Sequence, residues 1–265
     1  MYINNITVLI PSWNEERNIN KCLRLLKNFK KIIILDSNSN DKTRFIISKY
    51  KNTKFVRTSL KDYVSKLNFL LSISKTKWVL LLDADYEINK NLIFFLINKK
   101  LQNSISGYSF PIYNVINDKI IREDIYPSKP LLVNKTRIFF KREGHKEKPI
   151  IKGKIFKLDF PILHNDKKDQ KRWMDTQIKW ASYDAEKILK TNFFKLKLIN
   201  QLRLIPFISI FIALIYFYFY KKIFKYGKEG LIYLLQRLIY ETTINLMVIK
   251  FIFYKISNNK NKFKN

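Results

Sequence analysis

Trp78-Val-Leu-Leu-Leu-Asp-Ala-Asp-Tyr-Glu87 is the stretch whose reading decides the fold. Its first five residues form an unbroken apolar run, short and partly β-branched, of the kind that makes a strand buried on both faces. The run stops at Asp83-Ala84-Asp85. Ligands of an open α/β sheet sit in the crevice beyond the carboxyl ends of the strands. Two carboxylates one residue apart at a strand exit repel unless something positive lies between them. A hard divalent cation with oxygen ligands answers that need. The plainer alternative is a solvated acidic turn capping a helix that starts near Asn89.

Three further strands precede this one. Ile6–Ile10 ends in Pro11-Ser-Trp-Asn-Glu-Glu16, where Asn14 or Ser12 is expected to cap a helix running to about Phe29, with its acidic residues in the first turn. Lys31–Leu35 ends at Asp36-Ser-Asn-Ser-Asn-Asp41 and leads into a helix through about Tyr50. Lys54–Arg57 is a short third strand, and Asp62–Ser74 carries Val64, Leu67, Leu70 and Leu71 at helical spacing. This alternation predicts an α/β fold with a mostly parallel sheet and right-handed crossovers. The polar strand ends (Asn14 and Glu15, Asp36 and Asp41, Asp83 and Asp85) then share one sheet edge. A nucleotide fits there, its base and ribose donating to carboxylates and amides while a metal holds the pyrophosphate. The chain has no glycine-rich phosphate loop and only 5 Gly, which argues against an NAD dehydrogenase or a P-loop ATPase.

Composition narrows the setting. The 265 residues suffice for one α/β domain plus an appendage. With 51 Lys+Arg against 21 Asp+Glu, the net charge of +30 calls for a polyanionic neighbour: nucleic acid, an anionic membrane or phosphorylated substrates. The single cysteine, Cys22, excludes an intrachain disulfide and fits a reducing compartment. The N-terminal stretch reads as a strand and not as a signal peptide, so the bulk of the chain is expected to face the cytoplasm.

Pro11-Ser-Trp-Asn-Glu-Glu16, Asp36-Ser-Asn-Ser-Asn-Asp-Lys-Thr43 and Trp78–Asp85 resemble, in order and spacing, the family 2 glycosyltransferases of GT-A fold, nearest the bacterial branch acting on lipopolysaccharide core and envelope glycans. The resemblance covers roughly residues 5 to 190. It implies a Rossmann-like sheet with helices on both faces, a nucleotide-sugar donor (a UDP-sugar favoured), Mg²⁺ or Mn²⁺, and inversion at the anomeric carbon. By the same resemblance Pro11, Asn14, Glu15, Asp36 and Asp41 serve the nucleoside, with Lys66 and Asn68 near it. Asp83 faces ribose or metal, and Asp85 is the main metal ligand.

From Gly107 to His164 short strands alternate with turns (Gly107–Tyr113, Lys135–Lys141, Lys154–Leu158), which makes this the expected acceptor side. An inverting transfer needs a base for the acceptor hydroxyl. The candidates are Glu147 and His145, ahead of Glu123 and Asp124. Gly144-His145-Lys-Glu147 and Leu163-His-Asn-Asp166 resemble histidine segments of the same branch, and His164 is a candidate third metal ligand. Gln170-Lys-Arg-Trp173 is one residue short of the motif of processive relatives, so no polymerase is claimed.

Residues 1–190 are read as the glycosyltransferase domain: 1–100 the nucleotide-sugar half, 101–168 the acceptor side, and 169–190 a helix with Trp173, Ile178, Trp180 and Ala181 packed on the core. Residues 191–265 are read as a basic, apolar helical region on a membrane. Leu204–Tyr220 is uncharged but at the short limit for a spanning helix. Leu231–Tyr254 is interrupted by Arg237, Glu241 and Lys250, which suits the interface better. The expectation is an enzyme on the cytoplasmic face of a bacterial inner membrane, bound peripherally or through one short span near 204–220. It would act on a lipopolysaccharide-type glycolipid or other glycan acceptor, with oligomeric state open and no nucleic acid as partner. A nucleic-acid-binding basic protein and a non-catalytic membrane scaffold are the alternatives.

Overall fold

The computed structural model describes residues 2–99, 101–102, 104–122, 127–144 and 146–262. It divides into two compact units, Met1–Arg142 with Glu147–Lys167, and Glu143–Lys146 with Lys168–Asn265.

In the first unit the chain runs through β1 (Ile6–Ser12), α1 (Ile19–Leu25), β2 (Ile32–Asp36), α2 (Thr43–Ile47), β3 (Thr53–Arg57), α3 (Tyr63–Ile73), β4 (Trp78–Leu81), β5 (Tyr86–Glu87) and α4 (Lys90–Asn98). It continues through β6 (Gly107–Phe110), β7 (Ile112–Ile116), β8 (Lys119–Ile121), β9 (Lys129–Asn134), β10 (Ile138–Glu143), β11 (Lys146–Ile151), β12 (Ile155–Lys157) and β13 (Ile162–His164). A seven-stranded sheet has the order β12-β6-β9-β4-β1-β2-β3. β4, β1, β2 and β3 are parallel, as the alternation predicts, while β9 inserts antiparallel between β4 and β6. Gly107 permits that close pairing, since a Cβ there would meet Val133 Cγ1 at 2.9 Å and the Leu132 carbonyl oxygen at 3.0 Å.

Strand alternation explains the layers. Val8 and Ile10 of β1, Ile32 and Ile34 of β2 and Leu80 of β4 point to one face, where Ile19 and Leu23 of α1 and Leu92 and Leu96 of α4 cover them. Leu9, Ile33, Leu35, Val79 and Leu81 point to the other, under Leu67, Leu70 and Leu71 of α3. Cys22 is buried in the first of these layers. A second sheet, β5-β13-β7-β8, stands beyond the exit of β4.

Three local expectations are corrected. The first helix begins at Ile19 with no acidic residue in its first turn, because Asn14 adopts φ 54° and Glu15 turns back to accept from Asn18 Nδ2 at 2.8 Å. Lys135–Arg137 is a 3-10 turn, since the Asn134 side chain caps it at Thr136 N, and the strand starts at Ile138. Leu204–Tyr220 is not one helix.

The second unit holds α5 (Gln170–Lys190), α6 (Leu198–Leu202), α7 (Ile208–Ile215), a π turn (Tyr216–Tyr220), a 3-10 turn (Ile223–Tyr226) and α8 (Lys228–Lys262). Pro206 lacks an N–H and Phe207 sits at φ 65°, which together break the apolar run before α7. No helix of the described residues is long and apolar enough to cross a membrane. α5 buries Ala181, Ala185 and Ile188 against Tyr240, Ile244 and Val248 of α8, while Ile178 and Trp180 stay exposed. Arg237 and Glu241, which interrupt the second apolar stretch, are used inside the unit. Glu241 accepts from Arg203 Nε at 2.9 Å, and Arg237 lies over the Tyr240 ring at 5.2 Å.

Candidate active site

Two loops tie together at the exits of β1 and β2. Register pairs Ser12 with Asp36 at the two strand ends, which sets the loops side by side. Asp36 is 2 % exposed and accepts from Ser39 through both oxygens, from N at 2.8 Å and Oγ at 2.5 Å. Ser39 Oγ in turn accepts from Asn14 N at 2.7 Å, and Asn14 Oδ1 accepts from Asn40 N at 2.9 Å. Thr43 Oγ1 accepts from Glu15 N at 2.7 Å, while Asp41 accepts from Glu16 N at 3.1 Å and Thr43 N at 2.9 Å. Burial pulls the Asp41 carboxyl up, but these bonds outweigh it and hold the group below the usual carboxylate range. The unusual φ of Asn14 and Asn38 (58°) belongs to this tie, since asparagine tolerates the left-handed region. Pro11 is buried within β1 and shapes the strand end, with no polar donor of its own.

At the exit of β4 the chain turns, Tyr86 N donating to Asp83 O at 3.0 Å, so the two aspartates part company. Asp83 Oδ1 accepts from the Tyr63 hydroxyl at the start of α3. Withdrawal from water raises its carboxyl above the ordinary range, Lys129 opposes this, and Asp85 and Glu147 add repulsion. Lys129 pairs with Glu147 Oε1 at 3.0 Å. Burial works against the Lys129 charge, yet Tyr86, Glu147 and Asp83 hold its ammonium well above the usual lysine range.

Asp85 lies against His164. It is 8 % exposed, and its Oδ2 lies 3.3 Å from His164 Nε2. β13 aligns His164 with Tyr86 on one side and with Asn114 on the other. The imidazole accordingly meets the Tyr86 ring edge-on at 5.6 Å and holds Asn114 Oδ1 at Nδ1, 3.0 Å away. With Nδ1 against Asn114, the other ring nitrogen, Nε2, is the one turned to the Asp85 carboxylate. Asp166, two residues on, completes a group whose donor atoms lie within 4.8 Å of one another. Among the described residues this is the set that could hold a metal ion. Two carboxylates and an imidazole nitrogen this close together are a donor set that fits a divalent cation. An outer hydrogen bond to the far imidazole nitrogen is how histidine ligands are held.

Of the residues read from sequence, the structure brings Asp85 and His164 together. Asp83 is not one of the three and faces Tyr63 and Lys129 instead, because the turn after β4 breaks the strand geometry that would have kept it beside Asp85. Asp166 was missed as a candidate ligand, although its place two residues after His164 at a strand exit is the same spacing that drew attention to Asp83 and Asp85. Lys129 was missed as well. Glu147 reaches the cluster through Lys129. Asn68 is spent elsewhere: its amide donates to Phe140 O at 3.0 Å and accepts from Phe140 N at 2.9 Å, bridging α3 to β10 in place of a nucleotide contact. Lys66 lies half-buried on the same helix. His145, Glu123 and Asp124 lie outside the described residues.

The family model for glycosyl transferase family 2 matches residues 7–158, more than half of the chain. The chain belongs to glycosyl transferase family 2. Its mixed sheet, parallel through β4, β1, β2 and β3, fits the GT-A fold. An uncharacterized glycosyltransferase of Rickettsia bellii is 35% identical over 88 residues, covering 33% of this chain and 30% of the relative. An uncharacterized protein of Methanocaldococcus jannaschii is 26% identical over 169 residues, covering 56% of this chain and 72% of that protein. The chain thus spans less than a third of the Rickettsia relative that it matches. Similar solved structures include S. aureus TarS 1-349 in complex with UDP-GlcNAc, at 15% identity and TM-score 0.44, covering 93% of this chain and 91% of that one. Another is glucosyl-3-phosphoglycerate synthase from Mycobacterium tuberculosis with Mn²⁺, UDP and phosphoglyceric acid, at 19% identity and TM-score 0.33, covering 41% of this chain and 43% of that one.

Proposed function

We propose that this family 2 member transfers a sugar, with inversion, from a nucleoside diphosphate donor to a hydroxyl of a lipopolysaccharide-type glycolipid or related envelope glycan at the cytoplasmic face of a bacterial inner membrane. The observation that carries the donor site is the Asp85–His164–Asp166 group beside the tied loops of β1 and β2. The carboxylate oxygens of Asp36 each keep a further acceptor position beyond Ser39, which suits the N–H and O–H groups of a nucleoside. Asn14, Glu15 and Asp41 hold the loops that flank it. Asp85, His164 and Asp166 would hold a divalent cation, and two carboxylates with one imidazole favour Mn²⁺ over the harder Mg²⁺. When bound, it supplies positive charge to the departing diphosphate.

Glu147 is assigned as the base, placed by Lys129. As the acceptor oxygen bonds to the anomeric carbon, the bond from that carbon to the diphosphate oxygen breaks and the hydroxyl proton passes to Glu147. The basic surplus and the resemblance of Gly144–Glu147 and Leu163–Asp166 to the envelope-glycan branch support the acceptor class. The test is turnover of nucleotide sugars by D85N and E147Q. Loss of transfer in both, with unchanged melting curves, supports the reading; wild-type transfer by D85N overturns it.

A further inference from the structure

α7 carries its large apolar residues on the wrong side for a soluble helix. Ser209, Ala213 and Phe217, four residues apart, face inward and are buried. Their neighbours face out: Phe211 is 65 %, Ile215 59 % and Phe219 64 % exposed. From Leu204 to Tyr220 there is no charged residue, and then Lys221, Lys222, Lys225 and Lys228 follow within eight positions. Lys222, Lys225 and Lys228 are exposed, and Lys221 lies over the rings of Tyr216 and Tyr220 at 5.8 Å. Leu231 and Leu235, on the first turns of α8, are also exposed. Contiguous apolar exposure on this scale marks an interaction surface.

We infer that α7 and its π turn lie in the plane of an anionic bilayer surface, seated in one leaflet, with the lysine cluster on the headgroup phosphates. Length rules against a span: thirteen residues of helix, Ile208–Tyr220, extend roughly 20 Å, against about 30 Å of hydrocarbon. Tyrosine and phenylalanine at the lysine end are the side chains that settle at headgroup level. Polar groups at the start of this face and behind it are matched within the unit. Asn245 Oδ1 accepts from Phe207 N at 2.9 Å, Ser209 Oγ accepts from Asn245 Nδ2 at 2.7 Å, and Arg203 is neutralised by Glu241. A second copy of the chain fits less well, because its own lysines, in a chain of net charge +30, would oppose the pairing. None of this depends on the sugar-transfer reading.

The experiment is co-sedimentation of the full chain with phosphatidylglycerol–phosphatidylcholine vesicles and with pure phosphatidylcholine vesicles, at low and high salt. The wild type should bind the anionic vesicles in a salt-sensitive way and the neutral ones at least ~10-fold more weakly. F211S/F219S and K222E/K225E should each lose at least ~10-fold in affinity for the anionic vesicles, with circular dichroism unchanged since all four positions are exposed; I215S is the independent third variant. Binding that is equal in wild type and variants, or absent from anionic vesicles, overturns the inference. So does a concentration-dependent dimer abolished by F211S/F219S in sedimentation equilibrium, which assigns the face to a second copy.

Discussion

Replacing Asp166 with asparagine should change sign in its effect on stability when Mn²⁺ is added. The donor atoms of Asp85, His164 and Asp166 lie within 4.8 Å of one another. Two unit charges at that distance repel by about 3.5 kcal/mol at an effective dielectric constant near 20. Asp166 is half-exposed, and solvent and salt reduce this to about 1 kcal/mol. Removing the charge should leave the cation-free protein as stable as wild type or up to about 1 kcal/mol more so, a rise of roughly 2–4 °C at most for a chain of this size. With Mn²⁺ at a hundred times its dissociation constant, the wild type gains about 2.7 kcal/mol. Losing a charged ligand should weaken binding at least ~10-fold and remove about 1.4 kcal/mol or more of that gain. Melting temperatures followed by scanning fluorimetry along a MnCl₂ titration should therefore cross. A D166N curve that rises with Mn²⁺ as the wild type does would refute the ligand assignment.

Three further outcomes follow from the local geometry. Ser39→Ala removes the hydroxyl that joins Asp36 to Asn14; the folded chain should lose about 1–2 kcal/mol by urea unfolding, for one buried charge-assisted bond, and nucleotide affinity measured by calorimetry should fall with it. Asp62 caps α3 at Ser65 N, 2.8 Å, and although burial raises its carboxyl, the Ser65 bonds and Arg142 bring it below the ordinary range. Asp62→Ala should cost about 1 kcal/mol by urea unfolding at neutral pH. A depressed carboxyl contributes above its unfolded pKa of about 3.9, so wild type and variant should converge as pH falls below ~4. Burial pushes the Cys22 thiol far above the thiol range, with Asp85 and Asp83 adding to it. The folded protein should resist Ellman's reagent where the urea-unfolded chain reacts. A raised thiol contributes fully below its unfolded pKa, about 8.5, so stability should decline as pH climbs beyond it. Rapid labelling of folded protein at pH 8 would contradict the burial.

What the sequence showed depended on how local the cause was. β1, β2 and β4 were legible because uninterrupted apolar runs ending in acid residues have few other structural solutions. The start of α1 was not legible, because Asn14 and Glu15 look like a cap and first turn but are engaged by Ser39, Asn40 and Thr43, some twenty-five residues later. Asp166 and Lys129 enter the site through pairings of short strands, β13 with β5 and β9 with β4 and β6. No periodicity in so few residues announces those partners. Asp85 and His164 could be named but not placed; the turn that separates Asp83 from Asp85 depends on tertiary context. In the C-terminal unit the apolar run was visible, but Pro206 and the left-handed Phe207 end it as a single helix. Arg237 and Glu241, read as interruptions, fill the unit's interior.

The most direct test of the account is the melting temperature of the purified chain with UDP, GDP, CMP or TDP, each with and without Mn²⁺, for the wild type and for D85N. One nucleoside diphosphate should raise the wild-type melting temperature only when Mn²⁺ is present, and D85N should abolish the joint shift while melting normally alone. A shift that needs no cation, survives D85N, or fails to appear with any nucleotide in folded protein would contradict a donor site built on Asp85, His164 and Asp166.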